Sequence, residues 1–263
     1  MTESQYIHGT QGAEQRRLAA LNALTNPSFR EFLKLGEARS ILEVGSGLGI
    51  LTREVARSKP RAEVVGLEYS REQLMKTDGH GQPNLRFVQG DAHSLQFEDA
   101  GFDVVYCRWL LEHVADPGAV VREMRRVLRP GGWIFVLEND VSLQRYDPPA
   151  PHAERMWSLV AQLQAKLGGD ALIGSKLFGL LTAAGFKEVD VSLAPEVHAS
   201  GTPGFKVWIQ NQIELFQGCA GELQGHGLAT AQDTERAISE LHQFLERRDA
   251  ATWFAWNRAS ARK

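Results

Sequence analysis

The chain has 263 residues, of which 43% are hydrophobic and 23% charged, an ordinary soluble composition with enough apolar material for one large core. A net charge of −3 supplies no broad basic surface to neutralise a phosphate backbone, which argues against nucleic acid as a partner. No apolar run approaches the roughly 20 residues of a membrane helix, and the opening Met1-Thr2-Glu3-Ser4-Gln5 lacks the basic and apolar regions of a signal peptide. Cys107 and Cys219 form no C-x-x-C pair, so neither a disulfide framework nor a zinc site is expected. The expectation is a soluble, cytoplasmic protein that does not act at a membrane.

In chain order, residues 1–35 have the pattern of a helical amino-terminal lid. From about Leu35 to Glu138 short β-branched apolar runs then alternate with helical stretches, the pattern of a parallel sheet wrapped by helices. The strands are expected at Ser40–Val44, Glu63–Leu67, Leu85–Gln89, Phe102–Cys107 and Trp133–Leu137. Arg122, Arg125, Arg126 and Arg129 interleave with Val121, Met124, Val127 and Leu128, which describes a solvated helix face rather than a binding patch. Pro130-Gly131-Gly132 ends that helix. Beyond Asn139 helical patterns follow at 151–167 and 174–184, then a strand-like Val189–Leu193, helices over Phe205–Gln217 and Asp233–Glu246, and a last strand at Thr252–Trp256. The domain expected is 36–263, with 199–249 inserted between the last two strands as a helical cap; Arg258–Lys263 is expected to be a solvated basic tail.

The strongest local signal is Ile41-Leu42-Glu43-Val44-Gly45-Ser46-Gly47-Leu48-Gly49, a strand running into a glycine-rich turn and a helix. Glycines let the backbone turn tightly and let a ligand approach the main chain. Alone, such a turn is weak evidence, and it also serves structural purposes. Glu68, at the end of the second strand, lies about 20 residues on, where an acid can accept hydrogen bonds from both hydroxyls of a ribose. Asp91 in Gly90-Asp91-Ala92 follows the third strand. Each acid alone could be a helix cap; together they place glycines and two carboxylates at the carboxyl ends of neighbouring strands, where open α/β sheets bind ligands.

Residues 41–139 resemble a class I S-adenosylmethionine-dependent methyltransferase of the broad type that serves quinone biosynthesis and natural-product tailoring. Phe102-Asp103-Val104-Val105-Tyr106, Leu110-Leu111-Glu112-His113-Val114, Asp116-Pro117 and Leu128-Arg129-Pro130-Gly131-Gly132 complete the series. The resemblance implies a Rossmann-like, seven-stranded, mostly parallel sheet of order 3-2-1-4-5-7-6 with strand 7 antiparallel. It implies S-adenosylmethionine as cofactor and S-adenosylhomocysteine as product. Glu43, Gly45, Ser46, Gly47 and Gly49 would hold the methionine part, Glu68 with Tyr69 the ribose, and Asp91 with Ala92 the adenine. Arg108 and Trp109 would flank the cofactor or the substrate entrance, and Tyr6, beside His8 in the lid, would approach the cofactor's carboxylate. A dinucleotide fold is the rival for the glycine turn, but Ile50 stands where its third glycine would fall and the extra glycine is Gly49. A catalytically silent cofactor-binding protein is the second alternative.

Because a sulfonium methyl is already activated, the enzyme's expected task is to hold a nucleophilic O, N, C or S in line with it at about 3 Å. His113 is the candidate base, with a cofactor-packing role as the alternative. Glu138, Asn139, Tyr146 and Trp208 are expected on the substrate side. The apolar insertion, with Phe205, Trp208, Ile209, Ile213, Leu215 and Phe216, points to a small apolar or aromatic substrate. No histidine pattern has metal-ligand spacing, and a monomer or a homodimer is expected.

Overall fold

The chain folds as an eight-stranded, mixed sheet between two layers of helices. It is seen in a computed structural model that describes residues 12–77 and 82–263. In the first half β1 (Ser40–Val44), α2 (Ile50–Ser58), β2 (Glu63–Glu68), α3 (Arg71–Lys76), β3 (Leu85–Gln89), β4 (Phe102–Arg108), α4 (Pro117–Val127) and β5 (Leu128–Glu138) follow α1 (Gly12–Phe32). In the second half come β6 (Arg145–Asp147), α5 (Pro151–Lys166), α6 (Leu177–Ala183), β7 (Lys187–Ala199), α7 (Pro203–Gly225), α8 (Ala231–Glu246) and β8 (Ala251–Arg262). Strands β1 to β5 pair in parallel in the order β3-β2-β1-β4-β5. β8 runs antiparallel to β5 and β7.

β5 pairs with residues 257–262 of β8 and the short β6 with residues 251–253, while β7 pairs along 251–262. A strand has two edges, so β5 and β6 must share one and β7 must hold the other. Apart from β6, this is the expected order with β8 as the antiparallel strand 7.

Side-chain alternation divides the core. Ile41, Val64, Val104, Tyr106 and Phe135 face α1, α2, α5, α7 and α8, whereas Leu42, Val44, Val65, Val105 and Val136 face α4 and α6. Both faces are buried, so the central strands are near-continuous apolar runs, each such side chain contributing roughly 1.5–3 kcal/mol. In α7, Phe205, Trp208, Ile209, Ile213 and Phe216 form one buried stripe, and the helix packs on α1, α5 and α8. A capping box starts α8: the Thr230 hydroxyl accepts from Asp233 N at 3.1 Å and Thr230 N donates back to Asp233 Oδ2 at 2.9 Å.

Two expectations need correction. Arg258–Lys263 is no solvated tail but the second half of β8, threaded between β5 and β7. There Ala259 and Ala261 are fully buried, and Lys263 Nζ donates to the carbonyls of Leu128 at 2.6 Å and Arg126 at 3.0 Å. Small and polar residues hid a central strand from a reading based on large apolar groups. Pro130-Gly131-Gly132 does not itself stop the helix, which ends at Val127; it lies within β5, where the register shifts between the Phe102–Leu128 and Val104–Trp133 pairs. Asp103 fastens that irregularity, accepting from the N–H groups of Arg39 at 2.5 Å and Ser40 at 3.2 Å while pairing with Arg129 at 2.5 Å.

Candidate functional site

The carboxyl ends of β1, β2, β3 and β4 surround a cavity of about 670 Å³. At the end of β1 the chain turns through Gly45 (φ 78°) and Gly47 (φ 54°), a left-handed conformation that disfavours any residue with a Cβ. The N–H groups of Gly45 and Ser46 donate to Leu67 O, both at 2.9 Å. The Gly47 N–H donates to Glu68 Oε2 at 2.8 Å, and Ser70 N holds Glu68 Oε1 at the same distance. Glu68 is thus fixed at the cavity wall, its pKa raised by burial against the pull of those two bonds. Nearby, the Ser46 hydroxyl is buried without a partner.

Below the turn Glu43 is 3% exposed. Burial raises its carboxyl to about 7, although Thr52 Oγ1 at 2.6 Å and the Tyr106 hydroxyl at 2.9 Å both donate to its Oε2 and Arg108 stands nearby. Beyond β3, Asp91, Ala92 and His93 line the cavity. Partial burial pushes the Asp91 carboxyl up, but the N–H of His93 at 2.8 Å and its ring Nδ1 at 2.9 Å prevail, leaving it below its ordinary value. Tyr69 also lines the cavity, half exposed.

Arg108 ends β4 fully inside the protein. Its guanidinium donates to side chains of α1: Asn26 Oδ1 at 2.6 Å, Thr25 Oγ1 at 3.4 Å and Asn22 Oδ1. It also lies 4.2 Å from the Trp109 ring centroid, and burial lowers its pKa to about 10. The next residue, Trp109, has φ 54°, a strained conformation of the kind that persists where surrounding contacts enforce it. Leu111–His113 then form one 3-10 turn.

A second, smaller chamber of about 80 Å³ lies between α1, α5, α7 and the end of β8. Its walls are aromatic: Trp109, Trp157, Trp208, Phe254 and Trp256. Leu18, Trp109 and His113 line this chamber and the large cavity alike, so the two meet there. The His113 Nε2 is 3.7 Å from Glu112 Oε1.

Of the residues singled out from sequence, Glu43, Gly45, Ser46, Gly47, Glu68, Tyr69, Asp91, Ala92, Arg108, Trp109 and His113 lie around the large cavity. Asn139 and Trp208 line the small chamber. Three do not reach either. Gly49 starts α2 at φ 68°, where an added Cβ would fall 2.3 Å from Phe87 Cζ; the glycine serves helix–strand packing. Glu138 turns inward, its Oε1 accepting from Leu110 N at 3.0 Å and Leu111 N at 2.8 Å and its Oε2 from Glu112 N at 3.4 Å. Burial and the neighbouring Glu112 raise its pKa. Tyr146 stands behind the chamber, its hydroxyl donating to Gln212 Oε1 and its ring edge-on to Phe244. Tyr6 and His8 lie outside the described residues. Sequence reasoning missed Asn22, Gln73 and His93 at the large cavity and Arg17, Glu112, Gln164 and Gln212 at the small one. Of the latter only Gln212 lies in the insertion whose aromatic spacing signalled a cavity wall; Arg17, Glu112 and Gln164 come from α1, the turn after β4 and α5. Among the described residues no group of three or more His, Cys, Asp or Glu is placed to hold a metal ion, and no helix is long and apolar enough to cross a membrane.

Residues 42–136 match the family model described as a methyltransferase domain. The ubiquinone biosynthesis O-methyltransferase of Bordetella avium is 33% identical over 127 residues, 47% of this chain and 52% of that protein. The ubiquinone/menaquinone biosynthesis C-methyltransferase UbiE of Hahella chejuensis is 39% identical over 137 residues, 47% of this chain and 54% of that protein. The chain thus spans about half the length of these curated relatives. In fold it is similar to the phosphoethanolamine N-methyltransferase 2 of Haemonchus contortus solved with S-adenosyl-L-methionine, with a TM-score of 0.52 at 18% identity over 99% of this chain and 56% of that one. The family match decides between the two cofactor readings of the glycine turn in favour of S-adenosylmethionine.

Proposed function

We propose, from residues 42–136 being a class I S-adenosylmethionine-dependent methyltransferase domain, that the chain transfers a methyl group to an O, N, C or S atom of a small, apolar or aromatic metabolite. The observation that carries this reading is the meeting of the two cavities at Leu18, Trp109 and His113. It gives a cofactor's methyl and a substrate's nucleophile one place to come within reach. The large cavity suits the cofactor: Glu68 is held with both oxygens at the wall, and the buried Ser46 hydroxyl awaits a partner.

When bound, the cofactor supplies an electrophilic methyl on a sulfonium. The protein's contribution is placement, with the aromatic walls orienting a ring, α1 closing one side, and the 199–249 cap closing the other. Where the nucleophile carries a proton, His113 at the junction accepts it, its Nε2 lying 3.7 Å from Glu112 Oε1. Two free, buried cysteines support a reducing, cytoplasmic setting.

The test is calorimetric titration of the chain with S-adenosylmethionine, and separately with NAD and NADP, repeated on Glu68→Ala and Asp91→Ala. The expected result is binding of S-adenosylmethionine alone, with a dissociation constant on the order of micromolar and at least a tenfold loss in each variant. Absence of that binding, or tighter binding of a nicotinamide cofactor, overturns the function and leaves the fold.

A further inference from the structure

Strand β7 carries its side chains in an order that a solvent-facing strand does not need. Its even-numbered residues Ala194, Glu196 and His198 are buried, where Glu196 Oε1 accepts from the Trp256 indole at 3.2 Å and Oε2 lies 3.1 Å from His198 Nε2. Its odd-numbered residues Val191, Leu193, Pro195 and Val197 are apolar and exposed, Leu193 by 52% and Val197 by 53%. The register sets Val197 opposite Trp253, which is itself 41% exposed, so these side chains share one face of the sheet. Further along, α6 covers that face, with Leu177 and Leu181 packed in one cluster with Ala259 and Ala261 of β8. Among the described residues this cover stops short of Leu193, Val197 and Trp253.

A half-buried strand normally turns its apolar residues inward and its polar ones to water. Here a carboxylate and an imidazole are inside and a run of apolar side chains is outside, the pattern of a face made to be covered. Pairing through the edge of β7 would be a different way to bury it. Ser200 N donates to Ala250 O at 2.8 Å and continues the β7–β8 register, so even-numbered residues bond to β8 and odd-numbered ones turn their backbone groups to the opposite edge. Pro195 is among the latter and has no N–H, which blunts that edge against another strand. Association is thus left to the face.

Val191, Leu193, Pro195, Val197 and Trp253 leave roughly 400 Å² of apolar surface open, judged from the usual areas of such side chains, and a patch of that scale marks an interface. Non-polar area makes up about 58–65% of an interface, so this face with its polar rim would bury on the order of 600–700 Å² per copy. A symmetric pair then buries roughly 1,200–1,400 Å², within the range of stable complexes.

We propose that this face is the contact between two copies of the chain, packed sheet on sheet about a two-fold axis. A two-fold contact needs only a surface complementary to itself, and a flat apolar sheet face meets that condition as the inner faces of a sandwich do. The exposed β7 residues of the face carry no charge with which to steer an unlike partner. β8 has Trp253 on this side and the chamber residues Phe254 and Trp256 on the other, so the contact lies directly behind the chamber wall. The inference is independent of the methyl-transfer reading.

The test is the molar mass of the full chain by sedimentation equilibrium over roughly 1–100 μM, which brackets a dissociation constant on the order of 10 μM. The parent is expected to reach twice the chain mass. Leu193→Lys and Val197→Lys each place a charge in the face at a half-exposed position and should raise the dissociation constant at least tenfold, with thermal unfolding confirming that each variant is folded. Met75→Lys, on α3 and 79% exposed, adds the same charge away from β7 and β8 and should keep the parent's mass. A parent that stays monomeric to about 100 μM overturns the proposal, whatever else occupies the face. A dimer that withstands both substitutions in folded chains, or that Met75→Lys weakens equally, overturns it as well.

Discussion

Glu43 lets the buried electrostatics of the cofactor end be measured without substrate. Its carboxyl is moved from an ordinary value of 4.5 to about 7 by burial. Between those values the native state keeps a proton that the unfolded chain has released. Stability from this group therefore falls as pH rises from about 4.5 to about 7, then levels off. At about 1.4 kcal/mol per pH unit, the full loss is roughly 3 kcal/mol, most of it between pH 5 and pH 9. Glu43→Gln isolates it, because Thr52 and Tyr106 both donate to the same oxygen, Oε2, and an amide oxygen in that place keeps both bonds. Urea unfolding of both proteins across that pH range gives the difference directly. The variant should gain roughly 2–3 kcal/mol relative to the parent on going from pH 5 to pH 9. Parallel stability profiles, agreeing within about 0.5 kcal/mol, would mean that Glu43 is not held protonated by its surroundings.

Three further outcomes follow from the geometry. Gly49→Ala forces a Cβ to within 2.3 Å of Phe87 at φ 68° and should destabilise by roughly 2–4 kcal/mol; Phe87→Leu in the same chain should return part of that in thermal unfolding. Arg108→Met strands the Asn22 and Asn26 carbonyls of α1, so amide exchange between Leu21 and Phe29 should accelerate at least tenfold while β2 is unchanged. Removing Arg258–Lys263 strips half of β8 and opens the edges of β5 and β7; loss of cooperative unfolding is expected, and a fully folded product would contradict the central placement of that strand.

The parallel half of the sheet was legible because its inner strands β1, β2 and β4 are near-continuous buried apolar runs. β1 and β3 fall where apolar runs place them, and β2 and β4 run one residue further. β8 was legible only to Trp256, since Asn257, Arg258 and Ser260 alternate with alanines whose burial depends on both neighbouring strands. At the site, Gly47, Glu68 and Asp91 stood out because a glycine turn and two acids fall together at the carboxyl ends of neighbouring strands, where open α/β sheets bind ligands. The chamber residues did not, because Arg17, Trp157, Gln212 and Trp256 come from α1, α5, α7 and β8 and share no local pattern. The family model ends at Val136, so it too stops short of most of that wall.

Glu138 and Arg108 are charged residues at strand ends whose side chains hold other segments in place, Glu138 away from both cavities and Arg108 at the border of the large one. They lie on adjacent strands, Arg108 paired with Leu137, at a depth where an ionised group needs immediate partners. The tight turn after β4 offers Glu138 the N–H groups of Leu110, Leu111 and Glu112, and α1 offers Arg108 two asparagines and a threonine. Both side chains are consumed in fastening segments that lie over the sheet. What those segments present to both cavities at once is Leu18 from α1 and Trp109 and His113 from the turn. The reacting groups are expected from the fastened segments rather than from the strands themselves, which is why His113 stands at the junction while the better-buried carboxylate does not.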